Sequence, residues 1–409
     1  MGAPIAACAQ KRSRQRSSKT IFHCVFRAPF HQPKLSGPYP AVYFSLHSFL
    51  YYNTAFPGMS RAFFAFFRKN KHFNSIKCVQ KELQFFPTHI DERRERGGNT
   101  MFEYNPEGWN MDTPENRAAL QSYSTLNDAC REERILEARA IVCDSAHNLW
   151  VDLGCMKGII PREEGAVGIK EGTVRDIAII SRVNHPVCFL VTGFEKGENG
   201  ATVAVLSRRA AQEKCRREYI SLLKSGDVIN ARITHLESFG AFADVGCGVV
   251  ALLPIDSISV SRIEHPRERF SVGMDIRAIT KTIENGRITL SHKELLGTWE
   301  ENAAQFSAGE TVAGIVRSVE PYGIFIELAP NLAGLAEVKE GVKPGQQASV
   351  YIKSILPARM KVKLVIIDTF DFDYRPAPPK YFFSGNHIDQ FVYSPEGCEK
   401  QIVSAFPPK

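Results

Sequence analysis

Ten cysteines are scattered through this 409-residue sequence without a single Cys-x-x-Cys pair. That absence removes zinc ribbons and dithiol redox sites, and in so long a chain the cysteines read as reduced cytosolic thiols rather than a disulfide framework. Apolar runs of bilayer length are lacking too, so an integral membrane protein and a membrane partner are not expected. No P-loop, Gly-x-Gly-x-x-Gly, His-Glu-x-x-His or Gly-x-Ser-x-Gly occurs, which takes away the commonest phosphate-cradling, dinucleotide-binding, zinc-hydrolase and serine-nucleophile signatures. The expectation is a chain with no catalytic residue, no cofactor and no metal. His185-Pro186 and His265-Pro266 read as loop turns.

Acidic residues are also missing from the start. None precedes Glu82, and residues 1–100 hold 16 Lys/Arg against 4 Asp/Glu, leaving 35 against 40 for the rest. The formal net charge of +7 therefore belongs to the first quarter of the chain and is no global argument for nucleic-acid binding. Thirteen of the 27 Phe lie there as well, with no lasting helical or strand period. Three readings stand: a transit peptide, a basic arm that contacts phosphate, or translated upstream sequence outside the working protein. The third is favoured, because codons for Arg96-Gly97-Gly98 can spell a purine-rich ribosome-binding site ahead of Met101. Residues 1–100 are thus expected to be a non-native or disordered basic extension.

What is present is globular: 44% hydrophobic and 23% charged residues, in a length that divides into two to four domains. Residues 101–134 read as a helical segment, capped by Thr113 with Pro114 in its first turn and running towards Arg134. Residues 225–245 (SGDVINARITHLESFGAFADV) then repeat as 308–328 (AGETVAGIVRSVEPYGIFIEL) at a constant offset of 83. Gly240 meets Gly323, Phe242 meets Phe325, and Phe239 meets Tyr322. The second half of each unit aligns at an offset of 72, pairing Lys281 with Lys353 and Arg287 with Arg359. Alternating apolar positions broken by glycine are a β pattern, and five short strands in roughly 70 residues make a small closed barrel that hides its edges. A weaker copy begins near Leu136, with His147-Asn148-Leu149-Trp150 aligned on Phe239-Gly240-Ala241-Phe242 and late strands at 187–192 and 202–207. Helical linkers are expected at 208–224 and 293–306, and a proline-rich tail with strands around Tyr381 and Phe391 follows residue 369. The divisions are 135–210, 225–295, 308–368 and 369–409, in a mostly β chain.

In Phe-Gly-x-Phe, strict alternation sends the two rings to opposite faces; the glycine permits a bulge that brings both to one side. Exposed aromatic pairs suit nucleobases, and Lys281, Arg287, Lys353 and Arg359 on later strands can neutralise phosphates. The alternative is that these rings are core. Recurrence of the pair, its glycine and a late-strand base favours the binding reading.

With these residues assembled, the sequence from roughly 135 to 368 resembles the RNA-binding S-one module of the largest small-subunit ribosomal protein, as a short variant. The resemblance rests on G-x-x-x-x-A/G-x-I/V…F/Y-G-x-F…G/A-L and on Arg287 to Lys293 (RITLSHK), and it is most specific in the middle unit. It implies tandem five-stranded oligonucleotide-binding (OB) barrels joined by short helices. It implies single-stranded RNA contacts at Phe239, Phe242 and Arg287, and by repetition at Tyr322, Phe325 and Arg359; Lys281 and Lys353 join them as the late-strand bases already named. His147 and Trp150 are weaker candidates. The family's histidine after Gly-Leu-x is replaced by Pro161, Pro254 and Glu337. The implied function is a non-enzymatic, cytoplasmic, ribosome-associated protein aiding mRNA binding in translation, with mRNA and the small ribosomal subunit as partners. Rival readings are an RNA regulator off the ribosome, a protein-interaction scaffold, and an accessory subunit of an RNA-processing nuclease.

Overall fold

The computed structural model describes residues 104–197, 200–284, 286–371 and 376–407. The acid-poor segment 1–100, and the choice among its three readings, lies outside the described residues. Three closed five-stranded barrels follow one another, then a two-stranded sheet. The first is built from β1 (Leu136–Cys143), β2 (Leu149–Asp152), β3 (Lys157–Ile160), β4 (Pro186–Lys196) and β5 (Thr202–Ser207). The second uses β6 (Val228–Glu237), β7 (Gly240–Asp244), β8 (Val250–Pro254), β9 (Asp275–Glu284) and β10 (Arg287–Ser291). The third uses β11 (Thr311–Glu320), β12 (Gly323–Ala329), β13 (Leu332–Ala336), β14 (Gln347–Leu356) and β15 (Lys361–Phe370). In each, the third and fifth strands pair in parallel and close an otherwise antiparallel ladder. The mostly β, tandem-barrel architecture expected from the repeat is what forms.

Two helices replace the single one expected up to Arg134. Thr113 caps α1 (Pro114–Ala119), its hydroxyl accepting from Asn116 N–H. A second start at Ser122, in a capping box with Thr125, opens α2 (Tyr123–Arg131). Reciprocal capping of this kind makes a new helix entry worth more than continuation. The second linker is likewise divided. Gly297, at φ +86°, ends a single 3₁₀ turn at Lys293–Leu296, and α5 (Trp299–Ala303) restarts from Thr298. The connection inside the first barrel carries α3 (Ile177–Ile180), and α4 (Arg208–Glu218) links the first barrel to the second.

Strand parity decides what each barrel hides. On β7, Ala241 and Ala243 point inward and are fully buried, as are Ile324 and Ile326 on β12 and Leu149 and Val151 on β2. The outward positions run Gly240, Phe242, Asp244; then Gly323, Phe325, Glu327; then Asn148, Trp150, Asp152. The acid at the end of each series has a different fate. Asp152 is exposed, whereas Asp244 and Glu327 are buried because another part of the chain sits on them.

At the first junction, residues 104–112 wedge between barrels one and two. Asp244 Oδ2 accepts from Glu107 N–H at 2.7 Å, and its Oδ1 accepts from Gly246 and Gly248 N–H. The Glu107 carboxylate takes two bonds from the buried Arg208 guanidinium, at 2.7 and 2.9 Å. Burial pushes Glu107 upward, but the charge and hydrogen bonds of Arg208 outweigh it and hold the carboxyl below its usual range. Asp244, buried and facing Glu107, is pushed up to about 7. Gly248 is required here: at φ +73°, a Cβ would stand 2.0 Å from Arg208 Nη2. At the second junction, Glu327 receives Arg269 at 2.5 Å and Arg317 at 2.8 Å, and Arg317 also meets Glu268. Asn331 locks the linker by donating to the carbonyls of Lys293 and Gly297.

The tail differs from expectation. Tyr381 is not in a strand; the strands are β16 (Gln390–Val392) and β17 (Val403–Ala405). The tail packs on both later barrels. Ile388 and Phe406 join Ile279 and Leu295 of the second, while Tyr393 enters the core of the third and donates to the Asn331 carbonyl at 2.6 Å. The Tyr381 hydroxyl accepts from Arg277 N–H on β9 at 2.8 Å and meets His292 Nε2 at 3.3 Å, with His292 Nδ1 on the Ile258 carbonyl at 3.0 Å.

Burial, and secondarily the charge of Arg269, push His292 down to about 4 from its ordinary 6.5. The unfolded chain therefore takes up this proton first, and His292 withdraws stability as pH falls from 6.5 towards 4, by about 3 kcal/mol at full effect. Asp244 and Glu137, each raised to about 7 mainly by burial, act oppositely and withdraw stability as pH rises through the same range. The expected result is that His292→Gln gains melting temperature relative to wild type progressively as pH falls from 6.5 to 4, while running parallel to wild type on the neutral side. Superimposable profile shapes would contradict this.

Candidate nucleic-acid interface

Phe239 and Tyr322 occupy the two-residue turns between β6 and β7 and between β11 and β12, and are 56% and 70% exposed. Phe242 and Phe325 are half-buried on the outer faces of the following strands. Each pair meets edge to face, with centroids 6.0 Å apart at 84° in the second barrel and 6.2 Å apart at 86° in the third. This geometry leaves ring surface open to a flat partner, and the neighbouring ring fixes its orientation.

The route to that geometry corrects the sequence reading. No bulge forms at the glycine. Phe239 reaches the side of Phe242 because it lies in the hairpin turn, beyond strand alternation. Gly240 is needed for a close approach instead: a Cβ there would stand 2.5 Å from the Leu253 carbonyl oxygen on β8, and one on Gly323 would stand 2.8 Å from the Ala336 oxygen. The bulges lie on the opposite strands, between Ile233 and His235 and between Val316 and Ser318.

Cross-strand register sets the surroundings. Around the second barrel, the outward row through Phe242 runs His235, Phe242, Leu252, Thr289, Thr282. Around the third it runs Ser318, Phe325, Leu335, Lys363, Ser354. Lys281 and Lys353 are the extra residues at equivalent bulges in β9 and β14. Both are exposed, as is Arg287 at the start of β10 opposite Glu284.

Arg359 departs from its expected place. It belongs to a 3₁₀ turn, Pro357–Arg359, and not to a strand. The β9–β10 connection has two residues and the β14–β15 connection four, so an alignment at offset 72 slips by two after the turn. Lys361 is the true counterpart of Arg287, and Lys363 counterpart of Thr289 sits in the row of Phe325. Sequence reasoning missed both lysines. The signal was there in the alternation Lys361-Val362-Lys363-Leu364, whose valine and leucine are buried and whose lysines are exposed.

The first barrel presents a different face. Its equivalent row is Val142, Trp150, Ile159, Val205, Gly193. Thr192 stands where Lys281 does, and Val203 where Arg287 does, so no cation lines it at these positions. Trp150 donates to Asp144 at 3.3 Å, and His147, at φ +63°, points its Nδ1 to Asp176 at 3.3 Å, where Arg162 also pairs. Among the described residues no group of three or more His, Cys, Asp or Glu is arranged to hold a metal ion. No described helix is long and apolar enough to cross a membrane.

Comparison with known proteins matches residues 222–293, the second barrel, to the family model described as S1 RNA binding domain. The chain is 29% identical over 264 residues to small ribosomal subunit protein bS1 of Staphylococcus aureus (strain COL), covering 60% of this chain and 64% of that protein. It is 34% identical over 178 residues to the bS1 protein of Leuconostoc lactis, covering 39% of this chain and 41% of that one. The chain thus spans less than two thirds of the length of these relatives. Among solved structures, a multidomain protein with nucleic acid binding domains from Streptococcus pneumoniae aligns at 12% identity and a TM-score of 0.21, over 57% of this chain and 73% of that one. The resemblance carried by the aromatic–glycine repeat is therefore borne out: residues 222–293 match an S1 RNA binding domain, within a chain similar to the bS1 family of small-subunit ribosomal proteins.

Proposed function

We propose that the chain is a non-enzymatic, cytoplasmic single-stranded RNA-binding protein that associates with the small ribosomal subunit and aids mRNA binding in translation. One observation carries the reading. Two edge-to-face aromatic pairs stand at equivalent, solvent-open places on barrels two and three, each beside exposed Lys or Arg. Stacking on such rings is tolerant of sequence, and lysines alongside neutralise phosphate without reading bases. Phe239, Phe242, Lys281 and Arg287 serve the second barrel. Tyr322, Phe325, Lys353, Lys361 and Lys363 serve the third, with Arg359 at its rim. Two weak sites on one chain raise each other's effective concentration for a single strand. The first barrel, with no cation in its row and His147 tied to Asp176, acts as a protein-contacting module at the ribosome.

Fluorescence anisotropy of the full chain with short oligouridylates at several salt concentrations tests this. Each phosphate contact contributes about 0.7 to the slope of log affinity against log salt. Lys363→Ala with Lys361→Ala should lower the slope by about 1 to 1.5. A salt-independent affinity, or no binding by a folded chain, would defeat the proposal. Salt-sensitive co-sedimentation with small ribosomal subunits tests the partner.

A further inference from the structure

A cleft of about 390 Å³ opens between barrels one and two. Part of its lining is apolar: Val174, Ile177 and Ala178 on the first barrel's side, and Val249 and Val250 on the second's. Ile177 and Val250 are 62% and 52% exposed, an unusual state for aliphatic side chains flanking a cleft. Cations close it: Arg182, Arg208 and Arg216 all line the space, against the acids Glu107 and Asp244. Arg208 is committed to Glu107. Arg182 makes a longer ion pair to the same carboxylate, Nη1 to Glu107 Oε2 at 3.6 Å, while its Nε is buried without a hydrogen-bond partner. A buried donor left unpaired is destabilising, and an anionic oxygen in the cleft would satisfy it.

The position of the cleft adds to this. His235, one of its lining residues, is the cross-strand partner of Phe242. Arg216 reaches to 4.0 Å from where a Cβ on Gly286 would stand, in the turn just before Arg287. The cleft therefore adjoins the aromatic face at one wall and the late-strand cation at another. Pockets with apolar walls and a few converging polar groups, in this size range, are the usual sites for small flat ligands.

We propose that this cleft holds one phosphorylated nucleotide, its base between the aliphatic walls and its phosphate on Arg182 and Arg216. The nucleotide comes either from the RNA strand crossing the second barrel, which rests on the function proposed above, or from a free mononucleotide.

The full chain is titrated with UMP and AMP by calorimetry, and with a labelled oligouridylate by anisotropy. Two variants are compared with wild type: Ala178→Trp, which fills the space, and Arg216→Glu, an exposed side chain whose reversal spares the core. Near-ultraviolet circular dichroism checks folding. Loss of oligouridylate affinity by about fivefold or more in both variants identifies the strand as the source. Loss of mononucleotide binding alone identifies the free ligand. Unchanged binding of both probes in both folded variants overturns the proposal. A wild-type chain that binds mononucleotide but no RNA sinks the RNA-binding reading and leaves the cleft standing.

Discussion

Replacing Phe239 and Phe242 together by alanine is expected to weaken oligouridylate binding to the full chain by about 30-fold or more. Each base stacked on an aromatic ring contributes about 1–3 kcal/mol, so two at the low end amount to about 2 kcal/mol. The rings are available for this: one lies in a turn and is 56% exposed, the other on an outer face. Their removal leaves the interior intact, since the inward residues of that strand are Ala241 and Ala243. The melting temperature should accordingly move little while affinity falls. Adding Tyr322→Ala and Phe325→Ala should remove the remaining salt-sensitive binding. A folded double variant with wild-type affinity would assign the rings to a protein contact instead.

The second large effect concerns folding. Arg208→Ala is expected to destabilise the first junction by about 3–5 kcal/mol, because it strands the buried Glu107 carboxylate. Arg208 and Glu107 side chains are only 5% and 6% exposed, so water cannot replace the lost partner. Glu107 N–H also holds Asp244, and the Glu107 carbonyl accepts from Arg232 Nη1 at 3.0 Å, so the loss spreads into the second barrel. Combining Glu107→Gln with Arg208→Met should recover much of the stability, as a neutral pair carries no stranded charge. Urea unfolding followed by tryptophan fluorescence reads both; Trp109 lies in the wedge and donates to Asp275. A loss below about 1 kcal/mol for Arg208→Ala would show that the site reorganises or admits water.

The barrels were legible because they are repeats. A gapless offset of 83 carries the first two strands of barrels two and three into each other, and alternation within them reports the inward positions. The aromatic pair was legible for the same reason. What failed was local. Bulge and turn give the same ring placement from the same four residues, and only the hairpin register separates them. The offset of 72 concealed a two-residue difference in turn length, which exchanged Arg359 for Lys361. The second linker was broken by Gly297 and the N-terminal helical segment by the Ser122 capping box, each a short-range signal stronger than the periodicity around it. The junctions were not legible at all. Glu107 and Arg208 are 101 residues apart, and Arg269 and Glu327 are 58 apart. Nothing in the local pattern around any of them announces a buried partner, since charged residues are ordinarily solvated.

The acid ending the second strand has a bearing on how such chains are taken apart. It is solvated in the leading barrel and locked in the two that follow. A barrel excised from behind its predecessor regains a hydrated carboxylate at that edge and abandons the Arg269 guanidinium or Glu107 amide that held it. Affinities and melting points gathered from amputated barrels would describe altered objects, and their sum would misstate the parent; a cut ahead of the second barrel destroys the Glu107–Asp244 clasp, and a cut at the second junction, from either side, destroys the Arg269–Glu327 pair.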